Sequence, residues 1–171
     1  MKRMIPIACG CVCALLLGAA VATAGNTTSD AHAKNLAAKQ CTAQQKADPA
    51  AFRATYGEHP MRNCIQGTTD EASAELKNAA KECNAERQAD PVAFREKYGT
   101  NENGSNAFGK CVSGKVKADI KEDVAEFKNA AKECRAERQA DPGAFQQTYG
   151  NNHNGSNAFG KCVSSKVKHS H

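Results

Sequence analysis

Six cysteines, at positions 41, 64, 83, 111, 134 and 162, are the residues best equipped for chemistry beyond the first 24 positions of this chain. To act as a nucleophile, a cysteine needs a base beside it and usually a third group that orients the base. The five histidines, at 32, 59, 153, 169 and 171, recur in no fixed relation to the cysteines, and no serine or cysteine near one forms a nucleophile motif. No catalytic residue is therefore expected. An even number of cysteines in an exported chain reads instead as three disulfides.

Four further groups carry weaker chemistry. Glu86, Arg87 and Asp90 are matched 51 residues later by Glu137, Arg138 and Asp141, and paired carboxylates can serve as acid and base. A helix cap and a solvated, ion-paired face account for them better, since Gln44 and Gln45 stand in the first two places upstream. His169 and His171 could take a divalent ion, but they end the chain in what reads as a flexible tail. The loops NENGSN (101 to 106) and NHNGSN (152 to 157) are too poor in carboxylates for a calcium site, though Asn103 and Asn154 each begin an Asn-Gly-Ser acceptor pattern. No metal and no cofactor are expected. Lysines recur at 81, 110, 115 and 117 and at 132, 161, 166 and 168, a pattern that could touch an anionic polymer or a membrane surface. Without aromatic platforms or arginine clusters they do not point to nucleic acid.

Compartment follows from the first residues. Lys2 and Arg3 precede an apolar run from Ile5 to Val21 and an Ala22-Thr23-Ala24 exit site, the layout of a signal peptide over 1–24. Cleavage before Gly25 removes Cys9, Cys11 and Cys13, whose context does not suit lipidation, and lowers the formal charge from +5 to +3. No other run reaches membrane-spanning length, so the mature chain is expected to be secreted or associated with the cell surface.

The rest of the chain repeats itself. Aligned on Cys41, Cys83 and Cys134, three copies share Ala-Ala-Lys-x before the cysteine, then Ala-Asp-Pro-x-Ala-Phe and Tyr-Gly after it. The expected units are 25–67, a divergent copy, then 68–118 and 119–171, ending in a short tail. Each unit reads as about three helices. The segment 78–89 is rich in strong helix formers. Asp48, Asp90 and Asp141, each before a proline, are expected to cap a short second helix, and glycine such as Gly99 to end it. Phe94 and Tyr98, four apart, share one face. Asn106 and Asn157 are expected to cap the third helix. Between copies one and two, Gly67 is expected to break the chain, with Thr68 and Glu71 forming a capping box.

Between Cys111 and Cys134 there is no proline, and Val112, Val116, Ile120, Val124, Phe127 and Ala131 keep the helical period. One continuous helix should thus join copies two and three, placing Cys111 and Cys134 about 35 Å apart and out of bonding reach. The pairing that remains simplest is Cys41 with Cys64, Cys83 with Cys111 and Cys134 with Cys162.

The segments NAAKEC, ADP, AF, KYG and NAFGKCV resemble a repeat of exported bacterial proteins, actinobacterial ones in particular. The resemblance spans nearly all of the mature chain and implies no activity; copy one departs from it with PMRNC in place of NAFGKC. The expectation is an all-α, elongated array of three tandem cystine-stapled repeats. It would serve, without enzymatic activity, as an interaction or cell-surface structural module for a protein or a cell-envelope polymer. The alternative is a polyanion- or membrane-surface-binding protein that uses its lysine faces.

Overall fold

Each Asp-Pro step turns one long helix into one short helix. Asp90 adopts an extended backbone, its N–H donates to Glu86 O and closes the preceding helix, and its carboxylate accepts from the N–H groups of Val92 and Ala93 at 3.0 and 2.9 Å. Asp48 and Asp141 do the same for Ala51 and Ala144. Proline at the first helical position has no N–H to leave unpaired, so the corner costs no hydrogen bond. A computed structural model describes residues 26–168 and contains, among them, seven helices and no strand. These are α1 (Asn26–Ala47), α2 (Pro49–Tyr56), α3 (Pro60–Ala89), α4 (Pro91–Tyr98), α5 (Ala107–Ala140), α6 (Pro142–Tyr149) and α7 (Ala158–Lys168). The expected signal segment and the His169/His171 tail lie outside the described residues.

Three disulfides tie the helices: Cys41–Cys64, Cys83–Cys111 and Cys134–Cys162, with Cα–Cα distances of 5.9, 6.0 and 6.0 Å. Beside each sulfur pair lies a phenylalanine from a short helix, and its ring meets a tyrosine one turn on: Phe52–Tyr56, Phe94–Tyr98 and Phe145–Tyr149, with centroids 4.8 to 5.0 Å apart.

Two expectations at element scale are corrected. The chain does not break at Gly67: α3 runs unbroken from Pro60 to Ala89, and neither a helix start at Thr68 nor a capping box with Glu71 exists. Thr68 instead donates its hydroxyl to Cys64 O within the helix and is buried. A lone glycine weakens a helix by only about 1 kcal/mol, which the packing of Thr68 and Ala72 outweighs. Nor do the units stand in an extended file. The chain doubles back after α4, and α5 returns along α3. Cys41, Phe52 and Cys64 near the start therefore share one core with Phe127, Cys134 and Val163 near the end. Between the ends, Leu36 and Ala37 of α1 pack on Ala72 and Ala79 of α3 and Val116 of α5. The small Cys83–Phe94–Ala107–Cys111 core sits apart at the hairpin tip.

Glycine is required where backbones touch. A Cβ on Gly160 of α7 would lie 2.1 Å from Ala54 O of α2. Gly99 ends α4 by donating to Arg95 O, yet with an extended backbone and not a left-handed one; a Cβ there would meet Arg95 O and the Cα of Gly104.

Candidate functional site

All six sulfurs are buried as cystines, so none is available as a thiolate. The carboxylate group also dissolves into separate structural tasks. Asp90 caps α4. Arg87 donates to Asn84 Oδ1 at 2.8 Å and lies over the Phe108 ring at 5.2 Å. Glu86 accepts from Tyr98 Oη at 2.8 Å and pairs with Lys115 at 3.0 Å and Lys97 at 3.2 Å. Hydrogen bonds from Lys115, Tyr98 and Lys97 hold its carboxyl down at about 2, far from the range useful to a general acid. Glu137 is lowered in the same direction by Lys166 and Tyr149.

The asparagine loops close on themselves. Asn106 stands at the N-terminal boundary of α5 but makes no capping bond with its side chain. Its Oδ1 accepts from Thr100 N at 3.0 Å and its Nδ2 donates to Thr100 Oγ1 at 2.7 Å. Asn157 likewise accepts from Asn151 N and donates to Asn151 Oδ1. These bonds staple the loop ends together; Asn106 stands at the N-cap position of α5, with its side chain spent on the loop and not on the helix. Asn103 and Asn154 accept from Ser105 N and Ser156 N and remain on exposed loops. Among the described residues no cluster of three His, Cys, Asp or Glu could hold a metal.

A site not read from the sequence lies where the first and third units meet. A half-open cavity of about 250 Å³ is walled by α1, α2, α3, α5 and α7. Gln40 and Asp123 line it at 2% and 4% exposure, and Gln40 Nε2 donates to Asp123 Oδ2 at 2.8 Å. Gln44 accepts from Tyr56 Oη at 2.9 Å; Thr55, Thr68, Glu71 and Ser164 complete the polar lining, and Phe127, Val163 and Val167 form the apolar one. Burial and then the Glu71 charge push the Tyr56 phenol up to about 12. A signal for this site was present. In the second unit Lys115 bridges Glu82 and Glu86, and in the third Lys166 bridges Glu133 and Glu137. The aligned positions of the first unit are Thr68, Gln40 and Gln44, all buried. The charged triad has become neutral as a set, because charges cannot be covered cheaply.

A second feature is a face present twice. In the third unit, Ala131, Arg135, Phe159, Gly160 and Val163 meet the first unit, and Arg135 pairs with Asp48. The aligned residues of the second unit are Ala80, Asn84, Phe108, Gly109 and Val112; there Gly109 is exposed with nothing within 4 Å of a Cβ. A shallow groove along α3 beside it is lined by Lys77, Ala80, Lys81 and Asn84.

No known family model matches the chain, and no curated protein or solved structure is similar enough to count as a match. The class that fold and site define is an all-α protein held by three cystines, of the kind typical outside the cytoplasm. Among the described residues no helix is long and apolar enough to cross a membrane.

Proposed function

We propose that the chain is an exported, non-enzymatic helical protein of three related cystine-stapled units, and that it acts as an interaction module through the open face of its second unit. The observation that carries this reading is the contrast between Gly160 and Gly109. The same sequence, NAFGKCV, is kept in both units. In one it lets a neighbouring helix approach within backbone contact; in the other it faces open space. An exposed glycine inside a helix weakens that helix by about 1 kcal/mol against alanine, so the unit's own stability gives no reason for it. The occupied face is the template for a partner of the open one: a short helix with small side chains at the contact, as α2 offers Ala54 and Thr55, and a carboxylate at its N-terminal end, as Asp48 offers Arg135. Lys77, Lys81 and Arg87 border the open face, which favours an acidic helix of a partner protein over a second copy carrying the same cations.

Binding of the pure protein to anionic liposomes, cell-wall polymer and DNA at low and high salt tests the reading against its alternative, a polyanion binder. Exposed Lys81, Lys110, Lys117, Lys132 and Lys161 favour that alternative, while Lys115 and Lys166 are spent on ion pairs within the chain. Absence of such binding is expected; strong binding that falls steeply with salt would establish the alternative. Envelope proteins cross-linked to the wild type but lost in a stably folded Gly109→Trp variant would locate the contact, and unchanged capture by that variant would overturn it.

A further inference from the structure

Asn-Gly occurs twice in the chain, at Asn103-Gly104 and Asn154-Gly155, and both steps lie on loops that lead from a short helix into a NAFGKCV segment. The dipeptide carries its own chemistry. Once the glycine amide loses its proton, its nitrogen can attack Cγ of the preceding carboxamide; ammonia leaves, and a cyclic imide joins side chain to backbone. Water then opens the imide at either carbonyl, giving aspartate or the isomer whose main chain runs through Cβ. In sum, one amide and one water become one carboxylate and one ammonium ion, with no oxidant, reductant or enzyme. Glycine hinders the attack least, having no side chain and a freely adjustable backbone.

The folded loops engage both partners of that reaction. Gly104 N donates to Asn101 O at 3.0 Å, and Asn103 Oδ1 accepts from Ser105 N at 3.0 Å. Gly155 N and Asn154 Oδ1 make the same bonds, to Asn152 O and from Ser156 N, at 3.1 Å each. Attack requires the amide to leave its acceptor and the carboxamide to turn, so both bonds must open first. Both asparagines are exposed, and water reaches them when the loop does open. The loops match, but the cores behind them differ. Ala107, at the start of α5, belongs to the small core of Cys83, Phe94 and Cys111. Ala158, at the start of α7, sits in the core that the first and third units share. We propose that Asn103 and Asn154 are sites of spontaneous deamidation held in check by their folded loops, and that Asn103 is converted first because its loop opens with the hairpin tip. Where opening and closing are fast beside the chemistry, the rate follows the population of the open loop. The isomerised product does not fit back. The backbones of Gly99 and Gly104 touch so closely that a Cβ on Gly99 would lie 2.9 Å from Gly104 Cα, which leaves no room for a lengthened main chain. This chemistry is independent of the interaction reading.

Ageing of the pure, oxidised protein at mildly alkaline pH, followed by peptide mapping that separates asparagine, aspartate and isoaspartate, tests the proposal. The reduced chain in urea supplies the intrinsic rate at each site, which corrects for Glu102 preceding one asparagine and His153 the other. Against those rates, both sites should be slowed roughly tenfold or more in the folded protein, the weight of the two hydrogen bonds that must open, and Asn154 more than Asn103. The Cys83→Ala/Cys111→Ala variant should speed Asn103 toward its unfolded rate and leave Asn154 unchanged. No conversion in urea, folded rates equal to the unfolded ones, protection of Asn103 equal to or greater than that of Asn154, or an unchanged Asn103 rate in a variant that keeps its helical content would each overturn the proposal.

Discussion

Gln44, Glu86 and Glu137 hold the same position three residues after a cysteine, and each accepts a hydrogen bond from the tyrosine of its short helix. Their difference is burial: Gln44 is covered, whereas the two glutamates keep contact with water and a lysine. Gln44→Glu would bury a carboxylate beside the raised Tyr56 phenol without a cation. A loss of about 2 to 4 kcal/mol in urea unfolding is expected, against under about 1 kcal/mol for Glu137→Gln at the surface. The surface pairs carry a pH signature. Glu86 titrates near 2 in the fold against an ordinary value of 4.5, so its contribution is complete above about 4.5 and is lost as pH falls toward 2. Melting temperature should decline across that window, and Glu86→Gln should flatten the decline; an unchanged slope would separate Glu86 from acid sensitivity. That the chain is helical and cystine-stapled was legible at this scale, because six cysteines and the helix formers around them are local signals. The buried polar site was not, because no single glutamine announces it; only the joint replacement of a Lys–Glu–Glu set by Thr68, Gln40 and Gln44 does.

Glycines at four places, three inside helices and one just past the end of α6, separate local preference from packing. Gly67 and Gly109 have open space at the Cβ position, so alanine there should stabilise by up to about 1 kcal/mol. Gly160→Ala should instead destabilise, since its methyl would meet the carbonyl of Ala54 and neither backbone can yield cheaply. Gly150 belongs with Gly160, having Gln146 O and the Cα of Gly155 in the way. Melting curves of the four alanine variants check the order, and a stabilised Gly160→Ala would contradict the close α2–α7 contact. The misplaced break at Gly67 has the same origin. Sequence shows the small intrinsic cost of a glycine but not the neighbours that outweigh it, and here Thr68 meets Cys41 Sγ of α1 and Ala72 packs with Leu36 and Ala37 of the same helix. The Asp-Pro corners were easier, because Asp and Pro act within three residues and need no distant partner.

Over the whole molecule the three units are unequal, although two of them are nearly the same in sequence. The first and third lean on one core; the second shares Ala72, Ala79 and Val116 with Leu36 and Ala37 of the first, and its tip has Cys83, Phe94, Ala107, Cys111 and their half-buried neighbours. Repeat symmetry predicts contacts within a unit and says nothing of how units fold back on one another, which is why the expected file of copies gave way to a hairpin. The asymmetric residues held the information: Arg135, which is Asn84 in the second unit, reaches Asp48, 87 positions away in sequence. The consequence is a gradient of dependence on the cystines. Opening the Cys83–Cys111 bridge and the Cys134–Cys162 bridge releases loops of equal span, 28 residues each, so chain entropy alone assigns both roughly 3 to 4 kcal/mol. The local outcome should still differ. Replacing Cys83 and Cys111 by alanine removes half of an isolated core, and residues 91–106 should open to protease while the shared core persists. Replacing Cys134 and Cys162 leaves Phe127, Phe145 and Val163 in one core with Phe52, so cleavage there should wait for global unfolding. Timed proteolysis with mass mapping distinguishes these outcomes: equal early cleavage in both variants would mean that the first and third units do not support each other.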